Sequence, residues 1–81
     1  MNNTIAYTLI NGKDHYKCYG LRHTSHGRTC LFKTEGGNWI VANGVNWFTP
    51  LTGGVVRGDW NHGHYFMEHK EEALAYFKEV M

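Results

Sequence analysis

Hydrophobic residues recur at helical spacing near the C-terminus. The apolar positions lie three or four residues apart, which places them on one side of an α-helix: Ala73, Leu74, Phe77, Val80 and Met81. No glycine or proline interrupts residues 68–80, and acidic residues in the first turns suit the positive end of the helix dipole. The pattern predicts one amphipathic helix over roughly residues 68–80.

The preceding chain alternates short runs of β-branched and aromatic residues with turn residues. Asn11-Gly12 is the dipeptide best suited to a tight hairpin, so it predicts two antiparallel strands on either side of it. The polar stretch 23–27 is predicted to be a loop. The predicted strands span residues 4–10, 15–21, 29–33, 39–42 and 60–67.

Residues 43–58 show a weaker pattern. They include the only proline, Pro50, and four glycines, which predicts a loop with a short strand near Val55 at most. Trp47 and Phe48 lie within this predicted loop. We expect them to close one end of the core, with display to a partner as the alternative.

These elements predict a single α+β domain over residues 1–81. Its sheet is an antiparallel β-meander of four to five strands, with one C-terminal α-helix packed on one face. Aromatic residues make up 15% of the chain, and several strands have large side chains on both sides. One short helix cannot cover that much surface, so the surplus predicts a binding surface or a homodimer interface.

Charge is unevenly distributed along the chain, although the net charge is +1. Residues 1–57 contain six basic and two acidic residues, whereas residues 58–81 contain two basic and five acidic ones. The predicted sheet is therefore mildly basic and the predicted helix acidic.

No apolar run approaches the roughly 18 residues of a membrane span, and the N-terminus lacks a signal-peptide pattern. The expectation is a cytoplasmic protein without a membrane partner.

Two cysteines and two histidines form the most specific candidate for metal chemistry. Cys18, His23, His26 and Cys30 have the spacing C-x4-H-x2-H-x3-C. Thiolate and imidazole ligands in a tetrahedron suit zinc, so a zinc site is one hypothesis. The favoured alternative is that both cysteines are ordinary buried thiols in strands and both histidines face solvent.

A second candidate for cation binding or catalysis consists of Asp59, His62 and His64. Residues 62 and 64 project from the same face of a strand, and alternation predicts Trp60 and Phe66 on that face too. A cysteine–histidine or Ser25–His26 nucleophile is formally available. A domain of 81 residues leaves little volume for a water-poor catalytic pocket, so no enzymatic activity is expected.

Nucleic-acid binding is the alternative function. Aromatic side chains interleaved with basic ones on a sheet can stack unpaired bases and hold phosphates. The residues available for such a face are Tyr16, Tyr19, Trp39, Lys17, Arg22, Arg28 and Lys33.

The end of the chain, with WNHGHYF followed by EALAYF, resembles the strand-then-helix close of small phage-encoded accessory proteins. In size and composition the whole chain is similar to anti-CRISPR proteins. The resemblance implies a small, rigid protein that binds and blocks a host machine, such as a nucleoprotein defence complex, without catalysis.

The function predicted from the sequence is therefore binding to another protein. Trp, Tyr and Arg dominate the energetics of protein interfaces, and the candidate surface follows that rule. It comprises Trp39, Trp47, Phe48, Trp60 and Tyr65, with Arg22, Arg28 and Arg57 at its rim. Some of these side chains must belong to the core.

Overall fold

The computed structural model describes residues 7–50 and 54–81, with the backbone alone for residues 48–50. These residues form seven strands and one helix. Their bounds are β1 Thr8–Asn11, β2 Asp14–Thr24, β3 Gly27–Thr34, β4 Trp39–Asn43, β5 Asn46–Pro50, β6 Val55–Asp59, β7 His62–Met67 and α1 Lys70–Glu79. The predicted strand residues 4–6 and part of the predicted loop, residues 51–53, lie outside the described residues.

The seven strands form one mixed sheet in the order β5-β6-β1-β2-β3-β4-β7. β1 pairs in parallel with β6, with Thr8 opposite Val55, and the other pairs are antiparallel. The α+β class with one C-terminal helix is confirmed, whereas the purely antiparallel meander of four to five strands is wrong. The error lies in residues 43–58, because this predicted loop contains β5 and most of β6, for which only a short strand near Val55 was expected.

Local turn signals place the first hairpins. Asn11 and Asp14 pair across a two-residue turn in which Gly12 has φ 65°, a conformation that favours glycine. The predicted loop at residues 23–27 is shorter than expected. β2 continues to Thr24 and β3 begins at Gly27, which leaves Ser25 and His26 as the turn.

The sheet is rolled, so that its two ends approach one another. β4 and β5 stand five places apart in the sheet order, yet only two residues connect them, and the same holds for β6 and β7. A flat sheet would separate such strands by about 24 Å, whereas a two-residue connection spans at most about 11 Å. The connections therefore require the sheet to curl.

The inner face of the roll forms the larger core. It buries side chains without help from the helix: Tyr7, Leu9, Cys18, Cys30, Phe32, Ile40, Ala42 and Val45. Trp60 closes this core, with its ring centroid 4.8 Å from Tyr16 and 5.6 Å from Phe32. Much of the aromatic surplus that predicted an exposed surface is therefore packed inside the roll.

The helix covers part of the outer face. Ala73 and Phe77 pack on Leu31, Trp39 and Val41 of β3 and β4, which confirms that the amphipathic helix docks on the sheet through its apolar side. The helix also reaches β2, where the Phe77 ring lies against Gly20 and the Phe77 carbonyl accepts a hydrogen bond from Arg22. No helix in the described part of the chain has the length and apolar character needed to cross a bilayer.

Candidate functional sites

The proposed zinc ligands are not brought together. Cys18 and Cys30 are 1% and 0% exposed in the inner core, whereas His23 and His26 are exposed near the β2–β3 turn. Within residues 7–50 and 54–81 no group of three or more His, Cys, Asp or Glu side chains is placed to hold a metal ion. The strand register directs both thiols inward, so the sequence spacing does not produce a zinc site there.

The two thiols instead form a buried cluster with a tyrosine. The Tyr7 hydroxyl lies 3.5 Å from Cys30 Sγ, and Cys18 Sγ donates a hydrogen bond of 3.3 Å to the Gly20 carbonyl. Burial and the contact with Cys30 raise the pKa of Tyr7, while the hydrogen bond with Cys18 and burial raise the pKa of Cys30. No described hydrogen bond joins either thiol to a histidine, so the cluster lacks the base that a cysteine nucleophile needs.

Asp59, His62 and His64, the second predicted cation site, do not form a metal-binding group within residues 7–50 and 54–81 either. His64 Nε2 lies 3.0 Å from the Tyr76 hydroxyl of α1, and the two rings are 4.6 Å apart. Phe66 packs beside the same tyrosine, so His64 and Phe66 share the helix-covered face as expected. Trp60 precedes β7 and turns into the inner core, so it does not join them.

All three tryptophans of the predicted partner surface contribute to the cores. Trp39 is 6% exposed beneath the helix layer. Trp47 is half-buried, with its ring 5.5 Å from Tyr7, and Trp60 is half-buried in the inner core. Trp39 is therefore not accessible to a partner, and the other two expose only part of their rings.

The arginines of that predicted rim are separated as well. Arg22 donates a hydrogen bond to the Phe77 carbonyl, and its guanidinium carbon lies 5.7 Å from the centroid of the Phe77 ring. The Arg28 guanidinium lies 4.0 Å from the Trp47 ring centroid. Arg57 is exposed on β6, and the side chain of Phe48 lies outside the described residues. Tyr65 and Arg57 remain the exposed members of the set.

Two of the large apolar residues exposed in the described part of the chain lie on β7, the last strand of the sheet, and the others are Tyr19 on β2 and Met81 after α1. Tyr65 is 66% exposed and Met67 is 62% exposed. Among the described strands β7 pairs with β4 alone, so its other edge has no partner. The surface predicted from the sequence includes Tyr65 but not Met67. The sequence signal for Met67 is that its predicted strand, which ends in HGHYFM, contains no lysine, carboxylate or proline to protect an exposed edge.

A cavity opens beside Tyr65. It has a volume of about 370 Å³ and lies against Tyr16 and Ile40 of the roll. Charged and polar side chains complete its wall, among them Lys13, Asp14, His15, Glu35 and Asn38. The cavity is an aromatic recess with a mixed-charge rim, and Tyr65 is the residue of β7 that lines it.

A second cavity lies on the outer face of the sheet. It has a volume of about 380 Å³ and is lined by Thr8, His15, Lys17, Tyr19, Lys33, Thr34 and Glu35. Lys17, Tyr19 and Lys33, which were proposed for nucleic-acid binding, therefore share a face, and Trp39 of the same set packs against Tyr19 there. Tyr16 belongs to the inner core, and Arg28 stacks on Trp47 beside that core.

Comparison with protein-family models, with curated proteins and with solved structures found no match to this chain.

Proposed function

We propose that the chain is a non-enzymatic binding protein whose partner is another protein, and that the partner docks on the free edge of β7. The observation that carries the proposal is the exposure of Tyr65 and Met67 on β7, which pairs with β4 along one edge and with no described strand along the other. Tyrosine is among the residues that contribute most to interface affinity, because it combines apolar area with a hydroxyl.

The composition of β7 supports this choice of surface. Its sequence, HGHYFM, contains no lysine, no carboxylate and no proline. Natural proteins protect exposed strand edges with such residues because an open edge attracts other strands. An apolar edge that lacks them is suited to receive an extended segment of a partner, with main-chain hydrogen bonds for affinity and the Tyr65 recess for specificity.

The absence of an activated nucleophile among the described residues supports a role without catalysis. Ser25 Oγ donates to the Met81 carbonyl and Cys18 Sγ to the Gly20 carbonyl, so neither engages a histidine. The resemblance of the chain end to phage accessory proteins supports a more specific proposal. In that proposal the protein is an inhibitor from a phage or mobile element that blocks a host defence complex.

The test is affinity capture of the tagged protein from a bacterial lysate, with and without nuclease, followed by mass spectrometry and measurement of Kd for the captured protein. Tyr65→Ala should weaken binding by about 2 kcal/mol, on the order of 30-fold in Kd. Tyr19→Ala is the matched control, since this tyrosine is also exposed but lies on the outer face.

Retention of a stoichiometric protein after nuclease treatment, with loss in Tyr65→Ala alone, is the expected result. Equal losses in the two variants would contradict the β7 interface. Capture that disappears with nuclease would contradict a direct protein partner and favour the nucleic-acid alternative.

A further inference from the structure

We propose that the outer face of β1, β2 and β3 binds a phosphate group between Lys17 and Lys33. This site lies away from the β7 edge and does not depend on the protein interface proposed above. Its evidence is the register of the two lysines, the rings beneath their ammonium groups and the cavity between them.

The register places two like charges side by side. Lys17 and Lys33 are direct cross-strand partners in the β2–β3 pair, and like charges at such positions destabilise a sheet. Among the residues with described side chains no carboxylate lies within ion-pair distance of either ammonium group. The two charges therefore repel one another without an internal counterion, and an anion bound between them would relieve the repulsion.

Each of the two ammonium groups lies over an aromatic ring. Lys17 Nζ lies 5.5 Å from the Tyr19 ring centroid, and Lys33 Nζ lies 5.4 Å from that of Trp39. The two rings are 5.2 Å apart, and Lys70 Nζ approaches Trp39 to 5.6 Å. Three positive charges thus surround one pair of rings, which concentrates positive potential on this face.

The cavity supplies space and hydroxyl donors. Thr8, Tyr19 and Thr34 line it together with the two lysines, and hydroxyl groups can donate hydrogen bonds to phosphate oxygens. Glu35 also lines the cavity, where its carboxylate lies 3.7 Å from His15 Nδ1 and its side chain is 78% exposed. The site is therefore a cationic recess with one carboxylate at its exposed margin.

The rings at this site do not offer a stacking platform. Trp39 is 6% exposed and Tyr19 is 37% exposed with a lysine over it, whereas base stacking needs an open ring face. The recess consequently recognises the phosphate group rather than a base. The same chemistry is presented by free phosphate or a nucleotide and by the backbone of a nucleic-acid strand.

The test is a titration of the isotope-labelled protein with inorganic phosphate at about pH 8, where lysines are charged. Amide shifts are followed by NMR at constant ionic strength, with sodium chloride as the reference salt. Wild type should show saturable shifts in β2 and β3. Lys17→Glu should bind phosphate at least about tenfold more weakly, a loss of about 1.4 kcal/mol. The control is Lys78→Glu, which makes the same charge change on the exposed side of α1 and should bind phosphate as wild type does.

The Lys17→Glu variant also separates binding from folding. Glutamate opposite Lys33 makes an opposite-charge pair, which stabilises a sheet, so the thermal midpoint without phosphate should rise while phosphate binding is lost. Phosphate shifts that equal those in chloride, or that persist in Lys17→Glu, would overturn the proposal.

A second arm identifies the source of the phosphate group by comparing inorganic phosphate with an oligothymidylate. A nucleic-acid strand is indicated if the oligomer binds more tightly than phosphate and the logarithm of its binding constant falls linearly with the logarithm of the salt concentration. Oligomer binding no tighter than that of phosphate indicates free phosphate or a nucleotide. An oligomer that binds without phosphate competition would contradict the site.

Discussion

At the residue scale, the inner core contains polar atoms that the sequence alone does not reveal as neighbours. Cys18 and Cys30 lie in the adjacent strands β2 and β3, Tyr7 immediately precedes β1, and the three side chains meet inside the roll. In the sequence the two cysteines flank His23 and His26, which made a zinc site a reasonable hypothesis. Side-chain direction within the strands decides against it.

The Tyr7 hydroxyl makes stability sensitive to alkaline pH. Burial raises its pKa in the folded protein, whereas in the unfolded chain the hydroxyl ionises near about pH 10. Above that pH the unfolded state binds fewer protons than the folded state, so the free energy of unfolding falls as pH rises. Below it the tyrosine is neutral in both states and stability is retained.

Tyr7→Phe tests this directly. Near pH 7 the variant should lose about 0.5–1.5 kcal/mol at most, through the missing hydrogen bond. Above about pH 10 the difference should shrink or reverse, because phenylalanine does not ionise. Urea unfolding monitored by tryptophan fluorescence at both pH values measures the difference, and a difference independent of pH would contradict a buried neutral hydroxyl.

At the element scale, the sequence predicted the helix and the first hairpin correctly, because interactions between residues close in sequence determine both. The spacing of Ala73 and Phe77 predicted the docked helix, and Asn11-Gly12 predicted the first hairpin. β5 was missed, and only a short strand near Val55 was predicted for β6, for two reasons. Proline and glycine are signals for a loop when only the local sequence is considered, so Pro50 and the nearby glycines predicted one. Proline is nevertheless tolerated at the end of an edge strand. The parallel pairing of β6 with β1 joins residues far apart in sequence, and the spacing of hydrophobic residues along the chain does not reveal such a pairing.

Gly58 provides a test of the β5–β6 pair. A Cβ atom built at this position would lie 2.9 Å from Trp47 Cα and still closer to the Asn46 carbonyl. Gly58→Ala should therefore destabilise the protein by about 1–3 kcal/mol, as overpacking does. Gly36→Ala is the control, since the nearest atom to its Cβ is 3.8 Å away. Equal thermal midpoints for the two variants would contradict the close approach of β5 to β6.

At the scale of the whole molecule, the curl of the sheet decides which side chains are accessible. Trp47 and Trp60 pack into the inner core because two short connections bring the ends of the sheet together. Composition predicted that interface-forming residues were present, but exposure depends on this long-range closure. Tyr65 is accessible because β7 ends the sheet, which only the strand order establishes.

Hydrogen–deuterium exchange of the captured complex tests the central claim most directly, that a protein partner covers the free edge of β7. In the free protein, amides of the interior strands β3 and β4 should exchange slowly, and those on the unpaired edge of β7 should exchange quickly. The partner should protect β7 and leave the outer face of β1 and β2 unchanged. Protection confined to β1 and β2, with β7 still exchanging quickly, would contradict the account.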